Sequence, residues 1–358
     1  MESGNDNVYL NVTFNHNPQD GNGASQAIYN VTKSTPILPK CSDYYCSVIR
    51  FDIPLDMVPL FIMPIVNGQN DPNLSSLIIG MTDPTNGNLP VPVNVVYVPQ
   101  SNEPIPPNPN PQQVVSPYYY VYSINHVIDM INVALASAWG IASQPGGGTQ
   151  PPYFYYDPST QLISLVIATA FTGSGSTIFM NNELATFLDG FQLYSHGNNN
   201  AYGRDFDFVL TYYDNNAYAP YAGMVASPDI FYRFTQEYNV IPMWCQLRKI
   251  LILTNNIPVA SEFVQVSGPV DNGQNVMMPI ITDFVLSFNT AGESRSIAVY
   301  NPSSQYRLID LVSSNPLQTI DLRVYWADRL GNVYPLTLSL YQQASVKIAF
   351  LSKKLYKI

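Results

Sequence analysis

The sequence predicts an all-β protein, a sandwich or barrel of short strands, on three observations. Thirty prolines, 20 glycines and 26 tyrosines among 358 residues disfavour long helices and favour strands cut by turns. Short segments of alternating apolar and polar residues recur along the chain, separated by clusters of Gly, Asn, Asp and Pro. Hydrophobic residues make up 46% of the chain, enough for one large or two ordinary cores. Only 11% of residues are charged, against roughly 25% in an average soluble domain. The polar surface is therefore built from Asn, Ser, Thr, Gln and Tyr, which repel one another little and suit burial against neighbours.

Each element has a local reason. Val8, Leu10, Val12 and Phe14 alternate with Tyr9, Asn11 and Thr13, the pattern of a half-buried strand, and a Gly/Asn/Asp-rich turn follows at 15–23. Tyr44 to Ile53 is β-branched and aromatic; Pro54, Pro59 and Pro64 then place residues 54–66 at a sheet edge or corner. After a strand at 91–98, seven prolines between Pro99 and Pro117 read as a stiff surface connection. One helix is predicted from an N-cap at Ser123, with Ile124, Val127, Ile128, Ile131, Leu135 and Ala138 on one stripe and Gly140 at its end. A shorter one runs from about Glu183 to Leu188, capped by Asn182 and stopped by Gly190. The apolar run Ile163 to Phe171 reads as a buried strand. In the C-terminal third, Ile320, Leu322, Val324 and Trp326 alternate with Asp321, Arg323 and Tyr325. Leu336, Leu338 and Leu340 follow a turn, and Val346, Ile348 and Phe350 make the last strand, from which Lys347 points outward.

The chemistry-bearing residues point away from catalysis. His16, His126 and His196 are the only histidines, and none has a nucleophile at a recognisable spacing. Cys41, Cys46 and Cys245 are an odd count without a second ligand pair, which is neither a disulfide framework nor a zinc site. The chain lacks HExxH, an EF-hand loop and GK[ST], and the glycines of PGGGT lie outside a strand-to-helix context. Asp205 and Asp207 in RDFDF share one strand face; a loop-edge Ca²⁺ site competes there with solvated strand residues beside Arg204, and the solvated reading is preferred. A sequence this aromatic could carry a sugar-binding platform, but Tyr118, Tyr119, Tyr120 and Tyr122 are as easily strand residues packing in a sheet. No cofactor, metal or enzymatic activity is expected. The amino terminus has no basic start or apolar segment, and no window reaches the roughly 20 apolar residues of a membrane span. Folding in a reducing cytosol or nucleus fits best.

Charge is split along the chain. Residues 1–247 hold 5 Lys and Arg against 18 Asp and Glu, whereas residues 248–358 hold 10 against 7. Lys353, Lys354 and Lys357 cluster at the end. Such asymmetry implies two surfaces facing different partners.

Three segments carry a resemblance: YYCSVIRFDIPLDMVPLFI from Tyr44; MWCQLRKILILTNNIPVASEFV from Met243 with MMPIITDF from Met277; and IAVYNPSSQYRLIDLVSSNPLQTIDLRVYWADRLGNVYPLTL from Ile297 with SVKIAFLSKK. INVAL and IFMNNELATFLDGF add weaker support. Together they resemble the penton, or minor capsid, protein of Polinton-like viruses and virophages. The resemblance implies a jelly-roll barrel with a β-rich insertion carrying one or two short helices, as loosely seen in the adenovirus penton base. It also implies a homopentameric vertex of an icosahedral double-stranded DNA virus, located in the virion and flanked by the major capsid protein. Residues 1–43 are then expected as an N-terminal arm or added strand, 44–66 plus 235–358 as the jelly roll, and 67–234 as the insertion. Lys347, Lys353, Lys354 and Lys357 are expected to form a basic patch toward packaged DNA or an acidic neighbour. Arg307 is expected to be structural, paired with Asp310 or Asp321 or with backbone carbonyls, and Trp326 to be a structural strand residue. The alternative is a viral spike or carbohydrate-binding β-sandwich, which would usually be trimeric.

Overall fold

The computed structural model describes residues 7–16, 24–63, 76–100, 117–147, 150–197, 201–210, 231–244, 247–259, 262–267, 275–285, 297–301, 307–328 and 331–355. The chain forms two compact units. The first comprises Met1–Pro59, Gln246–Asn289 and Glu293–Ile358, and the second Leu60–Cys245 with Thr290–Gly292.

Eight strands frame the first unit: β1 (Val8–Asn15), β2 (Ile28–Thr32), β3 (Tyr44–Pro54), β4 (Lys249–Leu253), β5 (Asn275–Val285), β6 (Ile297–Tyr300), β7 (Thr319–Ala327) and β8 (Gln343–Ser352). They pair antiparallel in two sheets, one ordered β1-β8-β3-β6 and the other β2-β7-β4-β5. That order is the wiring of a jelly roll, two interlocked Greek keys. Between the sheets lie Phe51 and Ile53 of β3, Val346, Ile348 and Phe350 of β8, and Val324 and Trp326 of β7, all buried. Phe51 packs edge-on to Phe284, centroids 4.6 Å apart, and stacks on Tyr300 at 5.4 Å. The second sheet is apolar on its other face too. Leu251, Leu253, Met278, Ile280, Tyr325 and Ala327 cluster there, met by Val264 of the strand Phe263–Ser267 and Val333 of the strand Val333–Pro335.

Of the two expectations for the N-terminal residues, an arm or an added strand, the structure shows the added strand. The Val8–Phe14 alternation finds its partner sheet in its own chain, in unbroken register with β8 from Val8↔Phe350 to Asn15↔Gln343, and β2 pairs with β7. Val12 and Phe14 are core residues. Residues 1–43 thus supply two of the eight jelly-roll strands.

The second unit leaves the chain between β3 and β4 and is wider than the expected 67–234. At its start, Leu60 N donates to Val121 O and Met63 N to Tyr119 O; near its end, the Trp244 indole donates to Phe187 O at 2.8 Å. One sheet runs Leu193–Ser195, Phe206–Phe208, Ile178–Met180, Ile78–Asp83, Leu89–Asn94; another joins Phe231–Thr235, Leu162–Ala168 and Tyr153–Asp157. Helix α1 (Ile124–Ile141) packs on strands of both. It is apolar and long enough, by length and composition, to cross a membrane. Here it is a core helix instead, burying Val127, Ile128, Ile131, Leu135 and Trp139. Asn132 ties it to the sheet by donating to Phe154 O (2.9 Å) and accepting from Phe154 N (2.6 Å).

Candidate functional site

The residues singled out from sequence sit mostly on the first unit, but not in one patch. In the β8–β3 register Lys347 stands directly opposite Arg50, so both side chains leave the same sheet face, away from the core residues Val346 and Phe51. The Lys347 ammonium lies 5.6 Å from the Tyr9 ring centroid. Among the described residues neither cation has an acidic partner within ion-pair distance. Like charges placed directly across a ladder destabilise it, which makes this face receptive to an anionic partner. The sequence reading missed Arg50 because only the strand register brings it beside Lys347.

Lys353 is withdrawn from any such patch. Its ammonium contacts Asp310 Oδ1 at 2.6 Å, donates to Ser42 O at 2.9 Å and lies 5.0 Å over the Tyr45 ring. These contacts clasp the end of β8. Lys354 is exposed, and Lys357 lies outside the described residues.

The expected partners of Arg307 are also corrected. Its guanidinium binds Asp283 of β5 at 2.9 Å and Glu262, with about half of each of Arg307 and Glu262 exposed. Asp310 is taken by Lys353. Asp321 turns inward instead: 2% exposed, it accepts from Thr254 Oγ1 (2.8 Å), Asn255 N (2.8 Å) and Asn256 N (2.7 Å), and so fixes the loop after β4. Trp326 is buried and stacks on Tyr334 at 4.4 Å.

In the second unit Asp205 and Asp207 are buried, not solvated as expected. Asp205 accepts from Asn182 N at 2.9 Å. Asp207 is gripped by Arg204 Nε at 2.8 Å and Nη2 at 2.5 Å, and His196 Nε2 lies 3.0 Å away. Burial opposes ionisation of Asp207, but its hydrogen bonds and charge pairing with Arg204 and His196 win and hold the carboxyl below its ordinary value. Protein donors thus engage both oxygens of Asp207. His126 caps a carbonyl, its Nε2 2.7 Å from Val98 O. Burial pushes the Cys46 thiol up to about 12, away from reactivity.

Known proteins resemble this chain in sequence and in fold. The "Structural protein V19" of the Sputnik virophage is 29% identical over 208 residues, 57% of this chain and 95% of its own length. Protein V18 of the same virophage is 33% identical over 155 residues, 42% of this chain and 92% of its own. A chain in the 3.5 Å cryo-EM structure of the Sputnik virophage matches with a TM-score of 0.79 and 29% identity, over 99% of both chains. The mavirus penton protein shares the fold at a TM-score of 0.66 and 16% identity, over 97% of this chain and 99% of its own. The family model for the Sputnik minor capsid protein V18/19 runs from residue 8 to residue 352, from the first strand of the jelly roll to the last, and the chain belongs to that family.

Proposed function

We propose that this protein is a structural component of an icosahedral virus capsid, set as a homopentamer at the five-fold vertex and flanked by the major capsid protein. One observation carries the reading: the fold matches a chain of the Sputnik virophage structure over 99% of both chains at a TM-score of 0.79. The role is assembly and not catalysis, and its place is the virion.

The charge distribution supports a division of labour between the units. The first holds 13 Lys and Arg against 13 Asp and Glu; the second holds 2 against 12 and contains no lysine. The second unit therefore repels nucleic acid. Contact with packaged DNA or an acidic neighbour falls to the first unit, where Lys347 with Arg50, and Lys354 and Lys357 beyond the Lys353 clasp, supply the cations. Mass photometry of the purified chain, with negative-stain images, tests the reading. A species of five times 39.8 kDa forming five-fold rings is expected; a trimer would favour a spike.

A further inference from the structure

The two sides of the jelly roll differ from its middle. Among the described residues of its eight strands, the exposed large apolar side chains are Tyr9 and Ile28 at one side and Met277, Val285, Ile297 and Val299 at the other. The first two sit on β1 and β2, the edge strands of the two sheets; Ile297 and Val299 sit on β6, the opposite edge of the first sheet, and Met277 and Val285 on β5, which the strand Phe263–Ser267 flanks in the second. The inner strands β3, β4, β7 and β8 carry none among the described residues.

The edges of the first sheet are also undefended. Edge strands are commonly blunted by lysine, proline or a bulge to prevent another strand from adding. The second unit does this: its edge strand Leu89–Asn94 contains Pro90 and Pro92. By contrast β1 (VYLNVTFN) has no charge and no proline, and its eight-residue register with β8 has no bulge. At the far side β6 (IAVY) is likewise uncharged and proline-free, with Ile297 53% and Val299 66% exposed.

Strand direction then selects the occupant. In the antiparallel order β1-β8-β3-β6 the two edge strands run in opposite directions. Rotating a second copy about an axis parallel to the strands brings its β6 antiparallel to the first copy's β1, continuing the ladder. Because the two surfaces differ, the contact is heterologous, the kind that closes rings.

We propose that β1 and β6 are the two halves of one head-to-tail interface, through which a second copy of this chain adds its β6 edge to β1. This rests on the ring reading above. The first variant, Ile297→Lys with Val299→Lys, blocks the β6 side; the second, Tyr9→Lys with Asn15→Lys, blocks the β1 side. All four positions are exposed, so melting temperatures are expected to stay near the parental value, slightly lower for the Tyr9→Lys variant because Tyr9 lies against Lys347. Each variant alone should be monomeric by mass photometry. An equimolar mixture should give dimers and nothing larger, because only one intact junction remains per pair. Pentamers that persist in either variant overturn the interface and leave the vertex reading standing, whereas a parent chain that never exceeds a monomer overturns the vertex reading itself. Cross-linking gives a readout independent of the lysine variants' folding: Val299→Cys combined in turn with Tyr9→Cys, Asn11→Cys, Thr13→Cys and Asn15→Cys. Oxidation should yield a covalent ladder of up to five chains for at least one pair, and no ladder in any of the four sinks the proposal.

Discussion

Asp321 and Arg307 lie 14 positions apart, and their surroundings set opposite expectations for their removal. Asp321→Ala strips the acceptor from the buried Thr254 hydroxyl and from the part-buried backbone amides of Asn255 and Asn256. Each orphaned group costs about 1–3 kcal/mol, so the melting temperature should fall by several degrees or more. Arg307→Ala breaks only half-exposed ion pairs, worth ~0–1 kcal/mol, and should leave the melting temperature nearly unchanged. Circular-dichroism melts of both variants check the contrast, and equal losses would contradict it. Asp207 adds a pH dependence. Its carboxyl is held below the ordinary value in the folded chain, so the unfolded state binds more protons as the pH drops. The stabilisation is complete above the unfolded carboxylate value of about 3.9 and is lost as the pH falls through the lower folded one. In urea titrations the stability gap between the parent and Asp207→Asn should be largest near pH 6 and close toward pH 3. A gap constant across that range would show that Arg204 and His196 are not its source.

At the level of strands and helices, β1 is the element whose role the structure changes most. Deleting residues 2–24 removes Val12 and Phe14 from the core and bares the β8 edge. Two such side chains are worth about 1.5–3 kcal/mol each, before the lost ladder is counted. The deletion should abolish cooperative melting, and a truncated chain that melts like the parent but fails to assemble would restore the arm. The strand itself was legible, since period-two alternation reports a half-buried strand wherever it occurs. Its partner was not, because β8 lies more than 300 residues away and alternation carries no address. Helix α1 shows the same limit at closer range. Its apolar stripe was readable, but the helix runs past Gly140 to Ile141, because the Ala142 amide still reaches Ala138 O. The short second helix starts one residue early for a similar reason: Asn181, not Asn182, accepts from the Leu184 amide while also holding Ile78 N.

For the whole molecule, the jelly roll followed from family-like segments at Tyr44, Met243 and Ile297, whereas the membership of the first two strands in it lay in a stretch outside them. The surface chemistry divided likewise. The cluster of terminal lysines was visible, but the Lys353 clasp and the Arg50–Lys347 juxtaposition exist only in three dimensions. The pairing of residues 8–15 with residues 343–352 also governs timing. A nascent chain emerges at roughly 5–20 residues per second, so β1 waits tens of seconds for its ladder partner to be translated. Until then the barrel stays open and β1 has no register, while the second unit, whose sheets draw only on intervening sequence, is already complete on the ribosome. Prematurely terminated chains therefore carry a finished insertion on an unfinished barrel, and an edge that never forms admits no neighbour.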